Sequence, residues 1–283
     1  MKWEGERQSE NVEDRRGGGG GRFGGLGGKS IGIGTLVIAL IGSAFFGIDP
    51  SVFLGGEGSA VPAQQAPQGQ PANDPQINFV RSTLGSTEDA WAKLFAAQDA
   101  QYQPARLVLF EGATDTACGQ GRSATGPFYC PADQQVYIDL SFFRLMEQRF
   151  KVEGEFAQAY VIAHEVGHHV QTLLGISNQV RNAQRNASET EANKLSVRLE
   201  LQADCFAGLW ANQRRQIIEP GDVEAALAAA SAIGDDALQR QAQGQVVPDS
   251  FTHGSSAQRV RWFTRGLESG KVEQCNTFDA RQL

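Results

Sequence analysis

The five residues from His164 to His168, HEVGH, carry two imidazoles and one carboxylate within one short stretch. On a helix, residues four positions apart differ in direction by about 40°, so His164 and His168 project from one face. Two neutral imidazoles arranged in this way bind Zn²⁺, and Glu165 beside them acts as the general base that takes a proton from water. The alternative is a pair of satisfied core or surface histidines. The apolar run just before the motif disfavours it, because buried titratable groups need a partner.

A third ligand is required, because catalytic zinc usually takes three protein ligands and keeps one position open. His169 points about 100° away from His168 on a helix and is not expected to be that ligand. Residues 198–207, RLELQADCFA, place Glu200 and Asp204 four apart among apolar side chains. We predict Glu200 as the third ligand and Asp204 as the acceptor that fixes the tautomer of a ligand histidine, His164. The reverse assignment and an ordinary solvated acidic face remain the alternatives.

These two motifs, HEVGHH and ELQAD, resemble the gluzincin pattern HExxH…ExxxD. Together with GPFYCPADQQVYIDLSFF and THGSSAQR they are similar to the bacterial putative neutral zinc metallopeptidase family, over most of residues 77–283. The resemblance implies an α+β, zincin-like domain that is mostly helical with a small sheet, in which two motif helices meet at Zn²⁺. It also implies that Val136 to Leu140 form the sheet's edge strand, where an extended peptide could add as one more strand. A plain core strand is the alternative.

His253 is the one histidine outside the cluster. A donor near the zinc would stabilise the oxyanion of the tetrahedral intermediate, and we predict His253 as this catalytic helper. THGSSAQR is similar to the THP…R stretch of HtpX-type membrane proteases, with Gly254 where those proteins have proline. Arg259 is the competing candidate, and a structural or solvated histidine is the other alternative.

The N-terminal quarter of the chain predicts a membrane anchor. Residues 1–30 read as a disordered cytoplasmic tail, because glycine-rich polar sequence buries little apolar surface. Residues 31–48, IGIGTLVIALIGSAFFGI, are uncharged and long enough for a transmembrane helix, although a cleaved signal peptide is the rival. The positive-inside rule then predicts a single-pass inner-membrane protein with an extracytoplasmic domain. Residues 49–76 read as a Pro/Gln/Gly-rich linker and 77–283 as the zinc metallopeptidase domain.

Within that domain, apolar periodicity and turn signals predict mostly helices and two strands. A helix starting at Ser86 would have Glu88 and Asp89 in its first turn. Residues 112–126 read as a loop. The predicted strands are 106–110 and 135–140, and the predicted helices are 86–95, 142–150, 155–174, 189–213, 222–232 and 255–267.

The four cysteines are even in number and contain no CxxC pair, which disfavours a cysteine-rich zinc knuckle. Cys118 and Cys130 flank a glycine-rich loop that a disulfide could close, and Cys205 could be tied to Cys275. Four free thiols, or a Cys205–zinc bond, are the alternatives.

The formal net charge of −7 argues against general nucleic-acid binding, which needs a basic surface. The motifs therefore predict a zinc endopeptidase that acts on peptides or proteins. A catalytically silent, membrane-anchored binding or assembly factor is the alternative, and a hydrolase of non-peptide amides differs from the first hypothesis only in substrate.

Overall fold

The computed structural model describes residues 1–16, 74–123 and 126–283. Within them the chain forms helices around one apolar core with two small sheets. The helices are α1 Pro75–Ala96, α2 Ser141–Phe150, α3 Glu155–Leu173, α4 Ile176–Gln184, α5 Glu189–Gln213, α6 Asp222–Ala232, α7 Asp235–Gln243 and α8 Ser256–Ser269. The strands are β1 Val12–Asp14, β2 Arg106–Phe110, β3 Ala113–Thr116, β4 Gly119–Arg122, β5 Phe128–Cys130 and β6 Gln135–Asp139.

The larger sheet has the strand order β1-β2-β6-β5. β1 and β6 both run parallel to β2, and β5 runs antiparallel to β6. Strand β6 is therefore an inner strand, and the prediction that Val136 to Leu140 form the edge strand is wrong. Among the described residues, the sheet ends on that side at β5.

Helices α3 and α5 carry the two sequence motifs and cross closely. A Cβ atom added at Gly167 would lie 3.1 Å from the carbonyl oxygen of Ala203, so a glycine on α3 lets the α5 backbone approach. Helix α8 crosses α5 more tightly still, because Gly208 and Gly266 each lie directly against the other helix's backbone. Large aromatic side chains fill the space beside these crossings, as in the stacking of Phe156 on Trp210.

Two disulfides link the periphery to this core, and both pairings were predicted. Cys118–Cys130 joins the β3–β4 hairpin region to β5, and Cys205–Cys275 joins α5 to the segment after α8. With Cys205 bonded to Cys275, the alternative of a Cys205–zinc bond is wrong, and so is that of four free thiols.

Residues 1–16 belong to the folded body, so the prediction of a disordered tail is wrong for them. Val12 pairs with Leu107 in the sheet, and the amide of Ser9 donates to the carbonyl of Arg81 on α1. Helix α1 also begins earlier than predicted: the Asp74 side chain accepts from the amide of Gln76 and so caps it. The predicted start at Ser86 fails because Ser86 is buried in the middle of this 22-residue helix.

The prediction of a transmembrane protein is also contradicted by the structure. Across residues 1–16, 74–123 and 126–283, the structure contains no helix with the length and apolar character to cross a membrane. The predicted transmembrane segment 31–48 lies outside these residues, as do residues 17–30 of the tail and most of the 49–76 linker. A single crossing at residues 31–48 would also put residues 1–16 and the predicted domain 77–283 on opposite sides of the membrane, whereas β1 pairs directly with β2. The predicted single-pass, inner-membrane topology is therefore wrong.

Candidate metal centre

His164 and His168 lie one turn apart on α3, with their ring centroids 4.8 Å apart. Glu200 reaches them from α5, with Oε2 3.1 Å from Nε2 of His164 and Oε1 3.4 Å from Nε2 of His168. One ligand atom from each of the three residues lies within 4.8 Å of the others. The structure thus brings together the three residues that the sequence predicts as metal ligands.

In both imidazoles the Nδ1 atom, which points away from Glu200, contacts a hydrogen-bond acceptor. Nδ1–H of His164 donates to Oδ1 of Asp204 at 2.8 Å, and Nδ1–H of His168 donates to Oε1 of Gln171 at 2.9 Å. In a neutral imidazole this tautomer leaves an unprotonated Nε2. When both imidazoles are neutral, the lone pairs of the two Nε2 atoms face the Glu200 carboxylate, so that a cation, either a metal ion or a proton on an imidazole, is needed between them.

This donor set fits zinc, because two imidazole nitrogens and one carboxylate oxygen are ligands that catalytic zinc takes. Burial of His168 opposes its protonation, but the neighbouring Glu200 carboxylate outweighs it and raises the pKa of His168 to about 9. Burial likewise disfavours the charged form of Glu200, yet the two imidazoles hold the pKa of that carboxyl well below its usual value. The three residues together form a negatively biased pocket for a cation.

Glu165 lies on the same helix between the two histidines and is buried. Burial raises the pKa of its carboxyl above the ordinary value, although the two neighbouring imidazoles oppose this. A raised pKa suits a carboxylate that must accept a proton and later release it.

Asp204 is fully buried and accepts from three side chains. Besides His164, it receives the Tyr160 hydroxyl at 2.5 Å and two N–H groups of Arg259, each at 2.9 Å. Burial alone would raise the pKa of Asp204, but the Arg259 guanidinium and the His164 imidazole together outweigh it and lower that pKa to about 2. Asp204 is thus a buried anion held in one orientation against His164.

Arg259, the alternative to His253 for oxyanion stabilisation, lies on the Nδ1 side of His164, whereas Glu200 lies on the Nε2 side. It faces Asp204 and Tyr160 rather than the open side of the metal ligands. These contacts of Arg259 with Asp204 and Tyr160 do not favour that alternative.

His253 lies in the loop before α8, and Asp235 at the start of α7 organises this loop. Oδ2 of Asp235 accepts from the backbone amides of Thr252, His253 and Gly254 at 2.8, 2.6 and 2.9 Å. Oδ1 accepts from Nδ1 of His253 at 3.2 Å. The φ angle of Gly254 is 91°, which proline cannot adopt, so the loop differs from a THP loop at this residue.

The His253 side chain is 37% exposed and lies outside the three-residue ligand group. Burial would lower its pKa, but the hydrogen bond with Asp235 and the charge of Glu200 raise it. His253 is thus an imidazole that Asp235 and the Glu200 charge favour in its protonated form, and its catalytic role stays a prediction.

Comparison with known proteins places the chain in a family. The family model described as "Putative neutral zinc metallopeptidase" matches residues 1–278. The chain belongs to this zinc metallopeptidase family. It is 51% identical to the uncharacterized protein YpfJ of Escherichia coli strain K12, over 98% of this chain and 99% of that protein.

An uncharacterized protein of Mycobacterium tuberculosis strain H37Rv is 40% identical over 72% of this chain and 71% of its own length. An uncharacterized protein of Mycobacterium bovis shows the same identity and coverage. No solved structure matches the chain. Membership of the zinc metallopeptidase family supports a hydrolase with zinc as its metal and peptides or proteins as its substrate class.

The family match includes residues 1–16, for which the sequence predicts no folded structure. Three side chains that position site residues were also missed, two beside the proposed ligands and one beside His253. Tyr160 and Gln171 lie four residues before His164 and three after His168, so helical spacing would have found both. Asp235 gave no local signal, because it reaches His253 across 18 residues of sequence.

Proposed function

We propose that this family member is a zinc-dependent endopeptidase, in which His164, His168 and Glu200 hold the metal and Glu165 is the general base. One observation carries the proposal: both ligand imidazoles donate Nδ1–H outward and turn Nε2 toward Glu200. A Zn²⁺ ion held by these three residues would supply Lewis-acid activation of a water molecule and of the scissile carbonyl.

Glu165 takes the proton of the attacking water on its carboxylate and delivers it to the leaving amine. Its buried position favours both steps, because burial brings its pKa closer to neutral pH. Asp204 keeps the His164 ring in one tautomer throughout, and Gln171 does the same for His168.

His253 donates from Nε2 to the developing oxyanion, while Asp235 holds its Nδ1. The Asp235 carboxylate favours the doubly protonated imidazole, which is the form that can donate from both nitrogens. An extended peptide adds to the outer strand β5 through main-chain hydrogen bonds, because β6 already has a partner on each side.

The deciding experiment compares Glu165→Gln with wild type for zinc content and for hydrolysis of a broad peptide library. Loss of the general base should lower kcat by about 10²- to 10⁴-fold, with the zinc stoichiometry unchanged. Glu155→Gln is the matched control, because Glu155 lies on the same helix and is exposed.

Two results would overturn the proposal. Hydrolysis by Glu165→Gln at the wild-type rate would remove Glu165 from the chemistry. A zinc-loaded wild type that cleaves no member of the library would instead favour a catalytically silent binding or assembly factor.

A further inference from the structure

His169 is the one histidine of the motif helix that does not face the proposed metal. It is 1% exposed and lies on the side of α3 that faces the larger sheet. Nε2–H donates to the carbonyl oxygen of Gln103 at 2.7 Å, and Nδ1 accepts from the hydroxyl of Tyr129 at 3.2 Å. These two contacts satisfy both nitrogens of a neutral imidazole, one as hydrogen-bond donor and the other as acceptor.

Tyr129 is the central residue of β5, paired with Val136 of β6. Its ring also makes an edge contact with the His169 imidazole at 5.6 Å between centroids. The next residue, Cys130, fixes the same strand to Cys118. The outer strand is therefore attached to α3 through Tyr129, which contacts the buried His169 imidazole one residue beyond His168 and also forms a hydrogen bond with Thr172.

We propose that His169 is a positioning residue, which through Tyr129 sets the distance between the outer strand β5 and the ligand face of α3. This inference rests on the proposed function, since the strand matters to catalysis if a peptide lies along it. A peptide bonded to β5 presents its scissile bond to Glu165 in one register, and movement of β5 relative to α3 changes that register.

The test uses Tyr129→Phe, which removes the hydroxyl that His169 accepts from, and His169→Gln in the full-length, zinc-loaded protein. Loss of one hydrogen bond of about 0.5–1.5 kcal/mol should raise KM about 3- to 10-fold while kcat changes less. The cleavage positions within a set of peptides should also spread to neighbouring bonds. Zinc content should equal that of wild type.

The matched control is Tyr102→Phe. The Tyr102 ring contacts the same imidazole, at 6.1 Å between centroids, but its hydroxyl has no bond to His169. This variant should keep the wild-type KM and cleavage pattern.

A second readout, amide hydrogen exchange, does not depend on activity. Residues 128–130 should exchange about 3- to 10-fold faster in Tyr129→Phe and His169→Gln than in wild type, whereas the interior of α3 should not. Unchanged exchange at 128–130 would overturn the inference even if the enzyme is active. A fall in kcat or in zinc content at constant KM would overturn it too, because His169 would then act on the ligands. A wild type without peptidase activity refutes the proposed function, and the exchange measurement still decides whether the attachment exists.

Discussion

Two buried carboxylates, on two long helices in different parts of this protein, are stabilised as anions by similar sets of polar partners. Asp204 on α5 has no exposed surface and Glu88 on α1 has 6%. Each is neutralised by an arginine from a distant part of the chain, Arg259 for Asp204 and Arg7 for Glu88. Each also accepts from a hydroxyl, and a buried anion persists only with such partners.

We call each carboxylate with its hydrogen-bond donors the Asp204 cluster and the Glu88 cluster. The two clusters differ in where their donors come from and in what else those donors contact. All the side-chain donors to Glu88 come from the N-terminal segment: Ser9 at 2.6 Å, Asn11 at 2.8 Å and Arg7 at 2.8 Å. One donor to Asp204 is an imidazole whose other nitrogen points at Glu200. A buried acid alone therefore does not mark a reactive site, because Glu88 holds the N-terminal segment whereas Asp204 orients His164, a proposed metal ligand.

The largest expected effect comes from removing the arginines. Arg259→Met should destabilise the protein by about 3–5 kcal/mol, because it leaves the solvent-free Asp204 unpaired. Arg7→Met should cost about 1 kcal/mol or less, since the Arg7 side chain is 49% exposed and water can replace it. Urea unfolding of both variants measures the difference. Equal losses would show that the two clusters are energetically alike.

Metal affinity separates the clusters by function. Asp204→Asn should weaken zinc binding about 10- to 100-fold, because partners that orient a ligand histidine usually contribute that much. Glu88→Gln, the matched change of a buried acid to its amide, should leave zinc binding unchanged. Competition with a chelator of known affinity measures both. A similar weakening in Glu88→Gln would mean that the affinity loss reports general destabilisation.

The contrast between the Asp204 and Glu88 clusters also shows which features of the site and the fold could be predicted from the sequence. His164, His168, Glu200 and Asp204 were found because helical spacing alone puts each pair on one face. The bounds of α5 and α6 also came out as predicted, 189–213 and 222–232, because their acidic first turns and apolar runs are local signals. The contact of Arg259 with Asp204 was not predicted, because only the packing of α8 on α5 decides which way Arg259 points.

The Glu88 cluster was missed altogether. Strand β1 has three residues and pairs with a strand more than 90 residues later, so no local pattern indicates it. Gly85 lies inside α1, where its missing Cβ leaves room for the Arg7 carbonyl oxygen, 2.5 Å from where a Cβ would lie. Non-local contacts therefore account for the position of the N-terminal segment, whereas α1 starts at the local Asp74 cap.

A third buried acid, Asp235, extends the comparison, and its substitution has the smallest expected effect of these predictions. It is 6% exposed and contacts His253 rather than a proposed ligand, so Asp235→Asn should leave zinc binding unchanged. Burial and the Arg259 charge lower the pKa of His253, whereas the bond with Asp235 and the Glu200 charge raise it above the ordinary value. A raised pKa keeps His253 protonated to higher pH, and the contribution of the charged form is lost as pH rises through that pKa.

In Asp235→Asn the alkaline limb of the kcat profile should therefore move to lower pH, and kcat near pH 7.5 should fall about 10-fold or less. Asp249→Asn is the charge-matched control, because Asp249 is exposed in the same loop region. Rates measured between pH 5.5 and 9 with one peptide substrate test this. An alkaline limb that stays in place would mean that Asp235 resembles Glu88, a carboxylate that holds backbone without acting on the chemistry.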